Sequence, residues 1–303
     1  MQLNLHRLWI FLQVVEHGGF SAAAQKLYMS QPSVSNQVRQ LESSLKTTLV
    51  DRSGSRIRAT AEGEVLVEYA KRIFRLADDA TNAIAAVQGV QSGRLVVGGT
   101  TTVGTYLLPP TLARFRQRFP DVVCDLYVGN ATQMERWVLD GEVGLGVFVG
   151  TPAASQLVTV DVLTDDSVLI VAPGHELART NVAPERLRGE RFLLRERGSS
   201  TRELQEKVLS DWRLDEVSTA EMGMPETLKQ AVRADLGVAV VSKHTVAEEL
   251  RDGRLAEVLV EPAPQGRPVV VAHRRDRLLS PAEQAFVTVI RTLATWPDEG
   301  TST

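Results

Sequence analysis

The stretch that decides the fold of the N-terminal region is Ser-Gln-Pro-Ser-Val-Ser-Asn-Gln-Val-Arg-Gln-Leu-Glu, residues 30–42. Ser30 belongs to a residue type that caps helices, and Pro32 is tolerated in a first helical turn because its missing N–H breaks no internal hydrogen bond. One side of the predicted helix is apolar, through Val34, Val38, Leu41 and Leu45. The opposite side is polar, through Gln31, Ser33, Asn36, Arg39 and Gln40. We expect this helix to dock along its apolar stripe and to present its polar side to solvent.

The sequence before this helix predicts two more, over residues 5–17 and 22–27. Gly18 and Gly19 end the first helix, and Ser21 can cap the second. Two short helices joined by a tight turn, the second with a polar outer face, are typical of a helix-turn-helix. Gln and Asn can form bidentate hydrogen bonds with the adenine edge in the major groove, so the pattern indicates DNA binding.

Residues 51–60 predict a β-hairpin wing, because a Gly-Ser turn lies between basic flanks. The wing offers three arginines to phosphate or to the minor groove, namely Arg52, Arg56 and Arg58. Taken singly, each polar residue of the helix and the wing is equally typical of a solvated surface. The combination, in this order along the chain, favours DNA.

These residues closely resemble the DNA-binding domain of LysR-type transcriptional regulators, and the run at 30–42 is highly specific to that family. Further matching positions are Leu8, Phe11, Val14, Gly19, Phe20, Ser21, Ala23, Ala24, Leu27, Leu49 and Thr60. The resemblance implies base or groove contacts from Gln31, Pro32, Ser33, Ser35 and Asn36. It implies DNA-backbone contacts from Arg39, Arg52, Arg56 and Arg58. The chain departs from the family at Lys46, where Gly is usual, and at Val50, where Phe is usual.

A long linker helix is predicted over residues 61–92, because Thr60 can cap it and no proline occurs between Thr60 and Pro109. Apolar residues recur at alternating spacings of three and four, which is a heptad seam. The seam consists of Leu66, Tyr69, Ile73, Leu76, Ala80, Ala83 and Val87. The alternative is a helix packed on its own domain, but a helix projecting from a small winged domain would leave the seam in water. We therefore expect dimerisation, and a pseudo-palindromic DNA site.

Residues 93–303 alternate strand and helix patterns, which predicts an α/β domain with a mostly parallel sheet. Strands are predicted over 95–99, 122–128, 145–149, 167–172, 192–195, 238–241 and 269–272. Helices are predicted over 105–118, 133–139, 201–212, 226–234 and 281–296. In such sheets, ligands bind at the carboxyl ends of strands beside helix N-termini.

Four of the predicted strand ends are followed by polar, uncharged segments, at 98–102, 129–132, 198–201 and 222–225. Hydroxyls together with free helix N–H groups can hold an anion. Ordinary helix capping explains any one of these segments equally well, so the sequence leaves both interpretations open.

The family resemblance extends more loosely over this region. It implies an effector-binding domain like periplasmic binding proteins, with lobe one at 93–162 and 266–303, lobe two at 163–265, and two crossovers between them. Positions that match typical effector contacts are Thr100, Thr102, Asn130, Ser199 and Thr201, and Phe148 is expected to line the cleft. The chain departs from the family at Gly144, where Asp is frequent.

The 303-residue chain is 43% apolar and 23% charged, which excludes a wholly disordered or fibrous protein. Its formal net charge of −3 argues against a generic nucleic-acid binder. However, residues 1–60 carry seven Lys and Arg against three Asp and Glu, whereas the remainder carries 27 against 34. A basic DNA-binding domain is thus expected to precede an acidic sensor domain.

Enzyme chemistry finds little support, because the sequence has no nucleophile elbow, phosphate-binding loop or dinucleotide fingerprint. The histidines show no metal-ligand spacing, and the single cysteine, Cys124, excludes an intrachain disulfide. Cys124 lies on the apolar side of a predicted strand and is expected to be a small buried hydrophobe. No apolar run is long enough to span a membrane, and we expect a cytoplasmic protein.

The resemblance therefore predicts a regulator that binds promoter DNA and responds to a small effector, expected to be anionic, without cofactor or metal. The implied partners are double-stranded promoter DNA, a second copy of the chain as homodimer or dimer of dimers, and RNA polymerase. Two alternatives remain at this point: a solute-binding or metabolic enzyme with a non-regulatory N-terminus, and a ligand-independent architectural DNA protein.

Overall fold

The computed structural model describes residues 3–51, 57–87 and 93–297. Contacts within the chain divide it into two units, Met1–Thr81 and Asn82–Thr303. The first unit is a helix-turn-helix with a short wing, and the second is an α/β domain with two lobes. This architecture confirms the predicted fold class.

The N-terminal unit is built around the helix predicted from residues 30–42. Its elements are α1 (Leu5–Glu16), α2 (Phe20–Lys26), α3 (Gln31–Leu45), β1 (Val50–Asp51), β2 (Arg58–Ala59) and the beginning of α4 (Ala61–Val87). Val34, Val38 and Leu41 of α3 are fully buried and pack in one cluster with Leu8 and Phe11 of α1. The apolar stripe of α3 thus docks inward, as predicted.

In the N-terminal unit, the start of α3 follows the sequence and the start of α2 does not. Ser30 caps α3, since its hydroxyl accepts a hydrogen bond from the backbone N of Ser33 at 3.3 Å. The predicted start of α2 after Ser21 was wrong, because Gly19 occupies the N-cap position and Ser21 lies in the first turn. Lys46 ends α3 with φ 55° and ψ 36°, in the left-handed region that favours glycine.

A carboxylate of α3 fixes the wing to that helix. β1 and β2 form an antiparallel pair with Val50 opposite Ala59, and residues 52–56 between them lie outside the described residues. Glu42 Oε1 accepts hydrogen bonds from the backbone N of Leu49, at 2.9 Å, and of Val50, at 3.3 Å. The wing is therefore positioned directly by α3.

The C-terminal unit alternates strands and helices along the chain. Its elements are β3 (Gly93–Thr100), α5 (Thr101–Tyr106), α6 (Leu108–Arg118), β4 (Val122–Gly129), α7 (Ala131–Asp140), β5 (Leu145–Val149), β6 (Leu157–Asp165), β7 (Ser167–Val171), β8 (Asn181–Val182), β9 (Arg191–Arg195), α8 (Ser200–Asp211), β10 (Ser218–Met222), α9 (Pro225–Arg233), β11 (Ala239–Ser242), α10 (Ala247–Arg251), β12 (Ala256–Val260), β13 (Arg267–Arg274) and α11 (Pro281–Arg291).

Two groups of strands define the two lobes. Lobe one has a five-stranded sheet with the order β4-β3-β5-β13-β6, and lobe two has the sheets β11-β7-β12-β8 and β10-β9. The chain crosses from lobe one to lobe two after β6 and returns before β13. Separate hydrophobic clusters fill each lobe, one around Phe115 and Phe286 and another around Phe192 and Trp212.

The expectation of a mostly parallel sheet was wrong. β3 pairs in parallel with β4 and β5, but β13 is antiparallel to both β5 and β6. In lobe two, β7 is antiparallel to both β11 and β12. The difference arises because the chain crosses between lobes twice, and the returning strand β13 runs against its neighbours.

The helix predicted over 105–118 is two helices, α5 and α6, which meet at Leu107. Pro109 and Pro110 lie in the first turn of α6. Proline is tolerated there but would break a continuous helix, which explains the restart. The last helix ends at Arg291, earlier than the predicted residue 296.

Candidate DNA-binding and effector-binding sites

The polar side of α3 is open to solvent at its N-terminal end. Gln31, Pro32, Asn36 and Arg39 are exposed, and Ser33 is half-buried because its backbone is engaged with the cap. The exposed amides of Gln31 and Asn36 have the donor and acceptor pairs that match an adenine edge. Arg39 lies about two turns after Gln31 on the same helix, and its guanidinium suits a phosphate.

Ser35 is less accessible than the other polar residues of α3. It is only 8% exposed and lies between the buried Val34 and the exposed Asn36. The base contact expected from Ser35 stays a prediction.

The wing presents one described arginine. Arg58 is exposed on β2, where it pairs in register with Asp51. Arg52 and Arg56, the other two arginines predicted to contact DNA, lie outside the described residues.

Helix α4 has an apolar stripe that its own unit covers only in part. Tyr69 is 58% exposed, Leu76 is 68% exposed, and Ala80 is also exposed. Leu66 and Ile73, by contrast, are half-buried against the core of the N-terminal unit, so part of the predicted seam is used within the chain. The side chains of Ala83 and Val87 lie outside the described residues.

The exposed part of the stripe extends to residues outside the predicted seam. Val65 is 59% exposed and Ile84 is 61% exposed. The sequence pattern alone did not separate these positions from the half-buried ones, because both kinds recur at helical spacing.

In the C-terminal unit, the first predicted effector segment lies where β3 meets α5. Thr100 and Thr102 are buried, at 1% and 5% exposed. The hydroxyl of Thr100 accepts a hydrogen bond from the backbone N of Val149 at 3.2 Å, which ties β3 to the end of β5. Thr101 Oγ1 donates to the carbonyl of Gly129 at 3.3 Å, which places the start of α5 beside the end of β4.

The second and third segments meet across the cleft between the lobes. Asn130 caps α7 in a reciprocal arrangement with Gln133. The next residues of lobe one reach lobe two, since the backbone N of Thr132 donates to the carbonyl of Gly198 at 3.2 Å. Ser199 caps α8 by accepting from the backbone N of Thr201. The structure therefore brings Asn130, Ser199 and Thr201 to one place.

Phe148 occupies two environments. It is 2% exposed and belongs to a core cluster with Met134 and Val138. It also contributes to the wall of a cavity of about 510 Å³ between the lobes. The other walls of the same cavity include Thr132, Glu135, Arg136, Leu139, Ala153, Ser200 and Glu203. Phe148 is thus chiefly a core residue at the edge of the cleft.

A group of buried polar residues at the crossovers between the lobes was not recognisable from the sequence. Asp165 at the end of β6 is fully buried, and its carboxylate accepts hydrogen bonds from Arg267 Nη2, at 2.6 Å, and from the hydroxyl of Ser242. Arg267 Nη1 donates to the carbonyl of Ser200 at 2.7 Å. These residues are up to 102 positions apart, so no local spacing could have indicated them.

A second missed cluster surrounds Lys229 on α9. Its ammonium lies 2.7 Å from Glu249 Oε1, 3.0 Å from Glu226 Oε2 and 3.5 Å from the hydroxyl of Tyr106 in lobe one. Burial opposes the charge, but the hydrogen bonds with Glu249 and Glu226 outweigh it and hold the pKa of Lys229 above its usual value. The two carboxylates, both in lobe two, neutralise the charge of Lys229, and its contact with the Tyr106 hydroxyl reaches lobe one.

Within residues 3–51, 57–87 and 93–297, no helix is long and apolar enough to cross a membrane. The same residues contain no group of three His, Cys, Asp or Glu that could hold a metal ion. Cys124 is half-buried, and burial raises the pKa of its thiol.

Two family models cover almost the whole chain. The model "Bacterial regulatory helix-turn-helix protein, lysR family" matches residues 5–64, and "LysR substrate binding domain" matches residues 88–295. Among curated relatives, the chain is 35% identical to the HTH-type transcriptional regulator CbbR of Xanthobacter flavus, over 94% of this chain and 86% of the relative. It is 33% identical to the RuBisCO operon transcriptional regulator of Allochromatium vinosum, over 94% and 95%.

Solved structures agree with this assignment. CbnR in complex with its target DNA has a TM-score of 0.70 at 23% identity, covering 95% of this chain and 99% of that one. The regulatory domain of CcmR from Synechocystis PCC6803, in complex with 2-PG, has a TM-score of 0.62 at 28% identity, covering 66% and 96%. Together with the exposed helix-turn-helix and the two-lobed α/β unit, these matches show that the chain belongs to the family of LysR-type transcriptional regulators, DNA-binding proteins that respond to effectors.

Proposed function

We propose that this regulator acts as a dimer, reads promoter DNA with Gln31 and Asn36 of α3, and binds a small anionic effector where α7 and α8 begin. The observation that carries the effector part is the contact between the two lobes at Thr132 and Gly198. This contact brings two capped helix N-termini together at the cleft.

The two helix N-termini at this place favour an anion, and of the charged walls of the cavity Arg136 supports it whereas Glu135 and Glu203 oppose it. Each α-helix carries a partial positive charge at its N-terminus, where its first N–H groups are directed outward. α7 and α8 span 10 and 12 residues, and each begins with a polar cap, Asn130 and Ser199. The neighbouring hydroxyls of Thr201 and Thr102 add uncharged donors. A small carboxylate, sulfate-like or phosphate-like molecule fits this chemistry better than a cation.

A relative gives the first compound to test. The CcmR regulatory domain, which is 28% identical, was solved in complex with 2-PG. We therefore choose 2-PG as the first probe for this chain, with inorganic phosphate and sulfate as simpler anions.

The dimer part rests on the exposed stripe of α4. Tyr69 and Leu76 expose large apolar side chains that a second copy of the helix would cover. A symmetric dimer presents two copies of α3, so its DNA site is expected to consist of two inverted half-sites. Association of two dimers into a tetramer is compatible with the same seam.

We also propose a target promoter and the way in which the effector changes transcription. Because several relatives are named as RuBisCO transcriptional regulators, one of them for the RuBisCO operon, a promoter of that operon is the first DNA to test. The effector would change the arrangement of subunits, and thereby the bend of the DNA and the recruitment of RNA polymerase in the cytoplasm. An effector can do so only through different affinities for the two arrangements.

The effector proposal is tested by calorimetric titration of the full chain with 2-PG, phosphate and sulfate. We expect saturable binding of at least one anion, and Thr201→Val to weaken it at least tenfold. Thr288→Val, which removes an exposed hydroxyl of α11, is the matched control and should bind like the wild type. If none of the anions binds, or if both variants bind equally well, the proposed effector site is wrong.

A deletion tests whether DNA binding and anion binding belong to different parts of the chain. A chain without residues 1–60 should lose sequence-specific DNA binding and keep anion binding. Specific DNA binding by the shortened chain would contradict the proposal.

A further inference from the structure

Two residues on the two crossovers form a buried ion pair. Asp165 ends β6, just before the chain enters lobe two, and Arg267 begins β13, just after the chain returns. They are direct partners in the antiparallel register of β6 and β13. Their side chains form an ion pair of 2.6 Å, in which Asp165 is fully buried and the side chain of Arg267 is 12% exposed. The pair thus joins both crossovers at the hinge between the lobes.

The same guanidinium also holds α8. Arg267 Nη1 donates to the carbonyl of Ser200, the first residue of that helix, at 2.7 Å. Because a guanidinium is planar and rigid, its two nitrogens fix the distance between the Asp165 carboxylate and the first turn of α8. The hydroxyl of Ser242 at the end of β11 donates to the other oxygen of Asp165, which orients the carboxylate.

The first turn of α8 is held from its other side by lobe one. The carbonyl of Gly198, just before the turn, accepts a hydrogen bond from the backbone N of Thr132 at 3.2 Å. Gly198 has a φ of +82°, and a Cβ there would lie 2.7 Å from Thr132 Oγ1, so the approach of the lobes is close. Segment 198–201 therefore lies between the hinge and lobe one.

We infer that Arg267 is the positioning residue of the effector site: it ties the effector-binding turn of α8 to both crossovers, so that the geometry of this turn and the angle between the lobes change together. This inference rests on the proposed effector site at the start of α8. Arg267 acts through the carbonyl of Ser200 and need not touch the effector itself.

Hydrogen exchange of the full-length protein without ligand tests the positioning directly. Arg267→Lys keeps a positive charge beside Asp165 but loses the planar guanidinium that binds Asp165 and the Ser200 carbonyl at once. We therefore expect amide exchange in residues 198–204 to rise at least tenfold. Arg254→Lys is the matched control, since Arg254 pairs with Asp252 on the surface of lobe two. The control should leave exchange in residues 198–204 within twofold of the wild type.

Should Arg267→Lys not yield folded protein, Asp165→Asn replaces it, because an amide of the same shape holds the guanidinium less strongly. Increased exchange confined to residues 198–204 supports the inference. Unchanged exchange there, or an even increase throughout lobe two, overturns it.

Titration with 2-PG and phosphate then separates positioning from general stability. In Arg267→Lys we expect the dissociation constant of the anion to rise at least tenfold, with the melting temperature of the unliganded protein lowered by only a few degrees. An unchanged dissociation constant would overturn the inference. If the wild type binds neither anion, the proposed anionic effector fails, while the exchange experiment still decides whether Arg267 positions the turn.

Discussion

The carboxylate of Glu283 occupies the space in which a side chain at Gly144 would begin. A Cβ at position 144 would overlap Glu283 Oε1 and lie 2.9 Å from Arg277 Nη1. Arg277 Nη1 donates to the carbonyl of Gly144 and to Glu283 Oε1, each at 3.0 Å, and both side chains are almost fully buried. The departure from the family at position 144 therefore accompanies a buried ion pair that requires a glycine.

Gly144→Ala should lower the free energy of unfolding of the C-terminal unit by about 3 kcal/mol, because the methyl group would displace one partner of the buried pair. Differential scanning calorimetry of the full chain measures the effect. Gly174→Ala is the control, since nothing lies within 4 Å of a Cβ at Gly174. Equal melting temperatures for the two variants would show that the pair moves aside without cost.

Lys46→Gly should stabilise the N-terminal unit by about 0.5–1 kcal/mol, because Lys46 holds φ 55° and glycine adopts this conformation without steric cost. The gain is measured as the shift in the urea midpoint of that unit. Lys46→Ala removes the same charge but keeps the left-handed strain, so it should bring no comparable gain. A gain shared by both variants would place the effect in the charge and not in the backbone.

Glu226 should contribute a small, pH-dependent part of the stability. Hydrogen bonds from Gln230 and Lys229 lower the pKa of Glu226, so its contribution is present above the unfolded pKa of about 4.3 and disappears as the pH falls through the folded value. Because its side chain is 64% exposed, the contribution is below about 1 kcal/mol.

Glu226→Gln should therefore be slightly less stable than the wild type at pH 7 in urea denaturation, and the difference should shrink steadily as the pH is lowered below about 4.3. The pKa of Lys229 is raised, so its own contribution is lost only at alkaline pH and stays constant over this range. Glu216→Gln, at an exposed position, controls for net charge. A difference that does not shrink as the pH falls would assign the effect to something other than this carboxylate.

Leu76→Glu should weaken the dimer at least 100-fold in sedimentation equilibrium, because it would bury a carboxylate in the seam of α4. Leu76 is 68% exposed in the single chain, so folding itself should be unaffected. Leu278→Glu, at a residue of 74% exposure outside α4, should remain a dimer. A Leu76→Glu protein that dimerises normally would exclude α4 as the main contact between copies.

Local patterns predicted the elements better than the contacts between them. The period of Val34, Val38 and Leu41 placed α3 and its buried face, because one helix period settles both. The burial of Ser35 was not predictable in this way, because it is adjacent to this stripe and only three-dimensional packing decides where the buried face ends. The family resemblance implied crossovers between the lobes, but no local pattern predicted the strand β6.

At the candidate effector site, too, local features were predicted from the sequence and contacts between distant residues were not. Polar residues after strands β3 and β4 and before α8 were recognisable, because helix capping has a local sequence pattern. The ion pair of Asp165 and Arg267 was not, because its partners are 102 residues apart and meet only through the crossovers. Likewise, Glu283 explains Gly144 only after folding has brought α11 beside β5.

Base reading by the exposed amides of α3 is measured by fluorescence anisotropy of the full chain on a site selected from random DNA, compared with unrelated DNA of equal length. Asn36→Ala should lose about 1–3 kcal/mol of binding to the selected site, with binding to unrelated DNA unchanged. Ser43→Ala, at an exposed position at the far end of α3, should bind like the wild type. Equal discrimination between the two DNAs by Asn36→Ala and by the wild type would contradict the account.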